Sequence, residues 1–334
     1  MVFFEVLLAL ALERLWLSVA TLRRFTWFMR FAAWGETRVA HANARVAAHS
    51  GSDDARVHTT DKGARARVLL LTLLPAIGVG LIHYLLSESL LMLAFIFDVA
   101  VLVYCLGPKD LDTQVRALIH AYTHTGKETV RDHLGDIIDV DMASAAPLTM
   151  PQMLHAAIEA ILIEANERWF AVIFWFVVLG PPGAIFYRLS ALLRDNKEAL
   201  RPDNFVAVTA GAPNSFTEAA QHLHAILGWL PARITAISYA IMGSFIDAID
   251  GWSQGTPNQL LSQLMGQSVS HSSGNADVVR NSGLGALRMH ELVQGSGKTP
   301  ISISHVRNAL ALVWRTLIFC LGVMLVMSIM SWLV

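Results

Sequence analysis

The sequence has few charged residues, few cysteines and no excess of charge of either sign. Only 15% of its 334 residues are Asp, Glu, Lys or Arg, where soluble domains carry about 25%. Apolar residues make up 54%, and the formal net charge of −1 gives no indication of a nucleic-acid partner. The composition therefore predicts a polytopic membrane protein with the lipid bilayer as its main partner.

Cysteine usage excludes a disulfide framework. Cys105 and Cys320 both lie in apolar runs, where a cysteine behaves as a small buried hydrophobe. The N-terminal run lacks a basic start and carries Glu5, Glu13 and Arg14. We therefore expect residues 1–22 to be a retained span and not a cleaved signal sequence.

Four apolar stretches predict transmembrane helices, because about 20 residues are needed to cross the hydrocarbon. They lie near residues 1–22, 68–87, 89–106 and 308–334. The fold class predicted is an all-α membrane protein, a single integral membrane domain over residues 1–334. Its spans are joined by polar segments at 23–67, 107–168, 194–222 and 247–307.

Two further apolar stretches are interrupted. Residues 169–193 contain Gly180-Pro181-Pro182-Gly183, which disfavours one continuous helix and predicts a re-entrant hairpin. Residues 223–246 hold Pro231 and Arg233, and they fit a half-inserted helix as well as a full span.

Charge placement predicts the orientation in the bacterial inner membrane. Residues 23–67 are rich in Arg and Lys, so this segment is expected in the cytoplasm and the N-terminus in the periplasm. Residues 107–168 are then cytoplasmic, with two or three amphipathic helices. The side on which residues 252–306 lie stays open.

Charges at membrane depth are the first candidates for a site. Asp98 in the third span and the Glu13-Arg14 pair in the first indicate either a polar cavity or a structural pair that locks helices together. We expect Arg233 either to be a cationic anchor for a carboxylate or phosphate, or to extend its side chain to the membrane interface. Glu164 is expected either to belong to a ligand-binding site or to form a salt bridge on a helix surface.

Metal and nucleotide sites are not predicted. His120 and His124 have the i, i+4 spacing of a metal pair, but the spacing indicates no further ligands. The run from Gly295 to Thr299 lacks the leading glycine of a phosphate-binding loop and is followed by Pro300. We expect no cofactor.

Three pieces of the sequence resemble the superfamily of CobD/CbiB and AmpE membrane proteins. The longest runs from Glu164 to Leu189 and contains the Gly-Pro-Pro-Gly-Ala element. Leu230-Pro231-Ala232-Arg233 is similar to that superfamily's proline-alanine-arginine turn, and the run from Arg280 to Arg288 is similar to its late asparagine and glycine motif.

The resemblance implies one of two functions. The CbiB branch resembles an adenosylcobinamide-phosphate synthase, which joins an aminopropanol unit to adenosylcobyric acid through an amide. The AmpE branch looks like a non-enzymatic signalling modulator of beta-lactamase induction and cell-wall recycling. Leu12-Glu13-Arg14-Leu15 stands where the synthases have glycine-aspartate-proline and histidine-proline motifs. An asparagine-threonine-leucine-aspartate run after the Gly-Pro-Pro-Gly-Ala element is also absent.

These departures lead to the expectation of an AmpE-like modulator, not an enzyme, that senses a cell-wall-derived or corrinoid ligand. The alternatives are the amide-forming synthase and, from the broken helices, a small-molecule transporter. No catalytic residue is assigned. The resemblance implies ligand-binding candidates at Glu164, Asn166, Gly180, Pro181, Gly183, Tyr187, Arg188, Pro231, Arg233, Asn281, Gly283 and Gly285. These are expected to converge on one cavity, with Asp98, Glu13 and Arg14 beneath it.

Overall fold

The structure is a computed structural model that describes residues 2–15, 25–32, 34, 54–106, 111–140, 142, 148–195, 215–254, 273–289 and 301–333. Every regular element within these residues is helical, so the predicted all-α class is confirmed. The chain forms two compact units. Unit 1 comprises Met1–Leu8, Gly107–Ala171 and Gly228–Val334, and unit 2 comprises Ala9–Leu106 and Val172–Leu227.

The helices follow one another without strands between them in the described residues. In chain order they are α1 (Val2–Leu15), α2 (Asp54–Ser89), α3 (Leu91–Cys105), α4 (Leu111–His124), α5 (Lys127–Ile138), α6 (Met150–Ala165), a π-helical turn (Asn166–Phe170), α7 (Ala171–Leu179), α8 (Pro181–Asp195), α9 (Ser215–Met242), α10 (Phe245–Gln254), α11 (Ser273–Ala286) and α12 (Ile303–Leu333).

Three helices of the described chain are long and apolar enough to span a membrane, which supports a membrane protein. They are Gly63–Ser89 within α2, Phe216–Met242 within α9, and Ile303–Leu333. The predicted spans 68–87 and 308–334 fall on the first and last of these. The stretch 223–246, left open between half-inserted and spanning, lies largely on a helix of sufficient length.

The predicted count of four spans is not confirmed. The stretch 89–106 forms α3, an apolar helix of 15 residues, which at 1.5 Å per residue reaches about 22 Å against about 30 Å of hydrocarbon. Helix α1 covers residues 2–15, and residues 16–22 lie outside the described chain. The polar segment 23–67 is more helical than predicted, because α2 already begins at Asp54.

In unit 1, α6 lies at the centre and packs against α4, α5, α11 and α12. It begins at a capping box in which Thr149 and Gln152 satisfy each other's backbone N–H groups. Its interior residues Ala156, Ala157 and Ile161 are fully buried. Because small residues recur among the large apolar residues of this helix, neighbouring helices approach α6 closely, and a charged residue on it is shielded from solvent.

In unit 2, α2 packs against α3 and α8. The chain breaks between α7 and α8 at Gly180, whose φ of 71° lies in the left-handed region that favours glycine. The predicted interruption is therefore present at the predicted residues. Gly183 lies so close to α7 that a Cβ atom would overlap the carbonyl oxygen of Trp175. Whether this pair of helices re-enters the membrane stays a prediction.

Candidate functional site

A buried group of charged and polar side chains joins α6 to α11 in unit 1. Glu159 on α6 and Arg280 and Asn281 on α11 are each 2% exposed. Arg280 Nη1 lies 3.8 Å from Glu159 Oε1, and Arg280 Nε and Nη2 donate to Asn281 Oδ1 at 3.1 and 2.9 Å. With His155 and Asp277 described below, we call these five residues the Glu159–Arg280 cluster.

His155 lies one turn before Glu159 on the same face of α6. Its Nε2 is 3.6 Å from Glu159 Oε1, and its side chain is 17% exposed. Within the described residues, this buried nitrogen has no hydrogen-bond partner. Burial lowers the pKa of His155, and the positive charge of Arg280 lowers it further. The imidazole is therefore neutral at neutral pH and has a ring nitrogen able to accept a proton.

Asp277 forms the rim of the cluster. Its Oδ1 lies 3.4 Å from Arg280 Nη2, and its side chain is 36% exposed. Burial raises the pKa of Asp277, although Arg280 opposes that rise. The cluster thus places a carboxylate where solvent reaches it and a guanidinium behind that carboxylate.

Hydrogen bonds tie α9 to the C-terminal end of α6. Thr235 donates to Asn166 Oδ1 at 2.9 Å, Tyr239 donates to the carbonyl oxygen of Leu162 at 3.1 Å, and Ser282 on α11 donates to the carbonyl oxygen of Ala236 at 2.7 Å. Asn166 opens the π-helical turn, an irregularity that recurs at functional sites. Three helices are therefore fixed to one another around the cluster.

Glu164, a predicted ligand residue, has a structural partner. Arg168 Nε donates to Glu164 Oε2 at 2.6 Å, while Nη1 and Nη2 donate to Gln114 Oε1 and the carbonyl oxygen of Ile137 at 2.9 and 3.0 Å. Arg168 thus connects α4, α5 and the end of α6. The salt bridge that the sequence predicts as one alternative is therefore formed, and a role of Glu164 in binding a ligand stays a prediction.

The predicted residues on α11 divide into two kinds. Asn281 belongs to the Glu159–Arg280 cluster. Gly283 lies against Leu162, so that a Cβ atom there would be 2.7 Å from a side-chain carbon of Leu162. A Cβ atom at Gly285 would overlap the carbonyl oxygen of Asp247 on α10. Both glycines therefore allow close helix packing, and a role in binding a ligand stays a prediction.

Pro231 lies inside α9, which is continuous from Ser215 to Met242. Two residues later, the guanidinium of Arg233 stacks on the Trp229 ring at 4.0 Å from its centroid. Its Nη1 donates to the carbonyl oxygen of Trp229 at 2.9 Å and to Asn275 Oδ1 at 3.2 Å. Arg233 is half-buried and anchored at one end of its guanidinium.

The remaining ligand candidates lie in unit 2. Gly180 forms the break before α8, which begins at Pro181. Pro182 lies 3.5 Å from the position of a Cβ atom on Gly80. The buried Tyr187 ring lies 5.0 Å from the His224 ring, and Ser190 Oγ is 3.1 Å from His224 Nδ1.

Arg188, also on α8, is only partly exposed. Gly180, Pro181, Gly183, Tyr187 and Arg188 therefore share one short segment of unit 2. Their role as ligand residues stays a prediction.

Asp98 pairs with a residue that sequence analysis did not single out. His83 Nδ1 on α2 lies 2.7 Å from Asp98 Oδ1 on α3, and the Asp98 side chain is 6% exposed. Glu13 and Arg14 lie near the end of α1, partly buried and exposed respectively. The predicted convergence of Asp98, Glu13 and Arg14 with Arg233 and Asn281 stays a prediction.

Sequence analysis missed His155, Glu159 and the central place of Arg280. The available signal was a Glu within the apolar run of α6, since a carboxylate at a core position requires a partner. His155 and Glu159 also have the i, i+4 spacing of a facing pair. Within the described residues, no three His, Cys, Asp or Glu side chains are placed to hold a metal ion.

Comparisons with known proteins identify the family. The sequence model described as CobD/Cbib protein matches residues 6–290. A "Cobalamin biosynthesis protein CobD" of Chromobacterium violaceum is 30% identical over 161 residues, 48% of this chain and 47% of that protein. Its namesake in Stutzerimonas stutzeri is 27% identical over 258 residues, 73% and 72% of the two chains.

A third relative of the same name, from Brucella suis biovar 1, is 24% identical over 250 residues, which are 71% of each chain. The chain spans about half the length of the Chromobacterium relative and about 70% of the other two. No solved structure matches the chain.

The predicted AmpE-like signalling modulator is wrong. That prediction rested on two short motifs that differ from the synthases, whereas the family match extends over all the described helices from the middle of α1 to the end of α11. Local loss of a motif is a weaker signal than similarity along a whole chain. Because the match covers well over half of the sequence, the chain belongs to the CobD/CbiB family.

Proposed function

We propose that this protein catalyses a step of cobalamin biosynthesis in which an amide forms between a corrinoid carboxylate, such as that of adenosylcobyric acid, and the amine of an aminopropanol unit. The observation that carries the proposal is the CobD/CbiB match over residues 6–290, which contains the whole Glu159–Arg280 cluster. The names of three curated relatives support the same pathway.

Amide formation needs a base. A carboxylate is first activated, for example as an acyl phosphate formed from a nucleoside triphosphate, because oxide does not leave a carboxylate. The alkylammonium nitrogen then loses two protons as the C–N bond forms, and phosphate leaves with the carboxylate oxygen. His155 is suited to take such a proton, because its pKa is lowered by burial and its Nε2 has no hydrogen-bond partner within the described residues. Because Nε2 is buried, the small amine, and not the corrinoid, has to enter the cluster beside Asp277 to reach it. In this proposal His155 is the general base for that amine.

Asp277 and Arg280 have different parts in this proposal. Asp277 is exposed enough to meet a substrate, and its carboxylate would attract the ammonium group of the amine. Arg280 is too deeply buried for contact with a large corrinoid. It is a positioning residue that holds Glu159 and Asn281 and keeps His155 neutral.

The proposal predicts corrinoid amidation by the purified chain. The full-length protein in a non-ionic detergent, supplied with adenosylcobyric acid, a nucleoside triphosphate with Mg²⁺, and either aminopropanol or its phosphate ester, is expected to give the amide product by liquid chromatography and mass spectrometry. The same gene is expected to restore cobalamin-dependent growth to a bacterial strain that lacks this step.

Membranes from cells with the empty vector are the control for background activity. Growth of the complemented strain on cyanocobalamin shows that the rest of its cobalamin metabolism is intact. A folded, corrinoid-binding protein that forms no amide and does not restore growth would contradict the proposal.

A further inference from the structure

Arg233 differs from Arg168, another arginine of unit 1, in the use of its guanidinium nitrogens. Arg168 donates from all three guanidinium nitrogens to protein oxygens. Arg233 uses only Nη1, which donates to Trp229 and Asn275. Nε and Nη2 of Arg233 have no hydrogen-bond partner among the described residues.

The unused edge has a specific geometry. Nε–H and Nη2–H point to the same side of the guanidinium, and this side matches two oxygens of a phosphate or carboxylate. Stacking on Trp229 and the two bonds from Nη1 fix the plane in which that edge lies. The fork is therefore held in one orientation before any ligand arrives.

The surroundings of Arg233 make it energetically unfavourable to leave its Nε/Nη2 edge without a hydrogen-bond partner. Arg233 lies within Phe216–Met242, a candidate membrane span. Leu230, Ile234 and Ile237 on the same helix are exposed apolar side chains, 44%, 41% and 45% respectively. A guanidinium beside an apolar surface at membrane depth is stable only with a partner that supplies oxygen atoms and negative charge.

The neighbouring helix leaves room for such a partner. Asn275 lies in the first turn of α11, next to Gly274. No atom of the described residues lies within 4 Å of the position of a Cβ atom on Gly274, so these residues leave the space beside this turn open. The N–H groups of a first helical turn favour an anion and add to the attraction of the guanidinium.

We infer that the Nε/Nη2 edge of Arg233, held by Trp229 and Asn275, binds a phosphate-class oxyanion. The oxyanion comes from either of two sources, a lipid headgroup at the surface of the helix or a soluble phosphate ester. This inference does not depend on the proposed amide-forming reaction, because it concerns binding and is tested without turnover.

The test measures thermal unfolding of the full-length protein in dodecyl maltoside. In one arm inorganic phosphate is titrated against chloride at constant ionic strength, and in the other phosphatidylglycerol is added to the micelles. A ligand of the native state raises the apparent Tm with the logarithm of its concentration. A shift with phosphate alone identifies a soluble ligand, and a shift with phosphatidylglycerol alone identifies a lipid.

Arg233→Gln removes the charge and the fork, and we expect its apparent Kd for the active probe to rise by about tenfold or more. Arg233→Lys keeps the charge without the fork and is expected to bind with intermediate affinity. It also tests the inference if Arg233→Gln does not fold.

Arg315→Gln is the matched control. Arg315 also lies in an apolar helix, and its Nε donates to the carbonyl oxygen of Ala311 at 3.3 Å, so its fork is not free. This variant is expected to keep the wild-type shift. No shift with either probe in the wild type, or wild-type affinity in both Arg233 variants, would overturn the inference.

Discussion

At the scale of single residues, the central feature is a neutral histidine beside a buried ion pair. His155 Nε2 is 3.6 Å from Glu159 Oε1, too far for a hydrogen bond. Among the residues that the structure describes, Nε2 of the neutral imidazole therefore makes no stabilising hydrogen bond. A buried polar atom without a bond costs free energy, and such a cost is tolerated where the atom acts in function.

Substitution of His155 therefore separates activity from stability. His155→Gln removes the base but keeps a polar side chain of similar reach, and we expect kcat for corrinoid amidation to fall by about 10²–10⁴-fold. The apparent Tm is expected to stay near the wild-type value, because no hydrogen bond from Nε2 is lost. His120→Gln, on the exposed face of α4, is the control and is expected to keep full activity.

The same assignment fixes the pH dependence of the rate. The base works when neutral, and its pKa is lowered below the usual value of about 6.5. Activity is therefore expected to persist as pH falls through 6.5 and to decline only below it. An acid limb of the kcat/KM profile at or above that usual value, or a large loss of stability in His155→Gln, would contradict the role of His155.

How far the sequence predicts the site depends on the range of the interaction. Asn166, Arg233 and Asn281 each lie in a motif that can be read locally, and the structure has all three on neighbouring helices of unit 1. The partnership of Glu159 with Arg280 could not be read, because it joins residues far apart in sequence. For Glu164 the sequence left two alternatives, since its surroundings depend on the tertiary arrangement of α4 and α5.

At the scale of helices, close packing of α10 against α11 supports the cluster. Ser244 N donates to the carbonyl oxygen of Ala286 at 3.0 Å, and a Cβ atom on Gly243 would lie 2.6 Å from Ala286 Cβ. Gly285 contacts the backbone of Asp247 and Ala248. Because α11 also carries three residues of the Glu159–Arg280 cluster, its position determines the geometry of the cluster.

A methyl group at Gly285 is expected to separate the two helices. Its Cβ would overlap the Asp247 carbonyl oxygen and lie 2.7 Å from Ala248 Cα, and backbone atoms cannot move aside without displacing α10. Gly285→Ala should lower the free energy of unfolding by about 1–3 kcal/mol, the usual cost of overpacking. Chemical denaturation in detergent measures this change.

Gly274→Ala is the control on the same helix. Its Cβ would meet no atom of the described part of the chain within 4 Å, and alanine favours helix over glycine. Its stability is expected to be unchanged or slightly increased. Equal stability of the two variants would show that α10 and α11 are not closely packed at Gly285.

Of the two stretches predicted to be interrupted, 169–193 is broken, whereas the predicted interruption at Pro231 is wrong because α9 continues through that residue. The break at Gly180 is present where the sequence predicts it, because glycine and proline act through their own backbone geometry. The start of α2 at Asp54 was missed, because polar residues preceding an apolar run continue a helix as readily as they form a loop. The length of α3, 15 residues, was also overestimated.

At the scale of the whole molecule, the open question is its orientation in the membrane. The apolar segment Gly63–Ser89 has 27 residues and, at 1.5 Å per residue, is about 40 Å long, more than the about 30 Å of hydrocarbon. Arg65 and Arg67 lie at its start, and Glu88 lies at its end. The positive-inside rule therefore predicts that residue 63 is cytoplasmic and residue 87 periplasmic.

Cysteine labelling of this one helix tests that prediction. In a background with Cys105→Ala and Cys320→Ala, a membrane-impermeant maleimide is expected to label Ser87→Cys in intact spheroplasts and Gly63→Cys only after permeabilisation. Ser87 is exposed, and a Cβ atom at Gly63 would meet no atom of the described residues within 4 Å, so we expect both thiols to be accessible. The opposite pattern would place the basic end outside and make the predicted orientation wrong. Labelling of both cysteines in intact spheroplasts would show that Gly63–Ser89 does not cross the membrane, and the chain would then have to be anchored through α9 and α12.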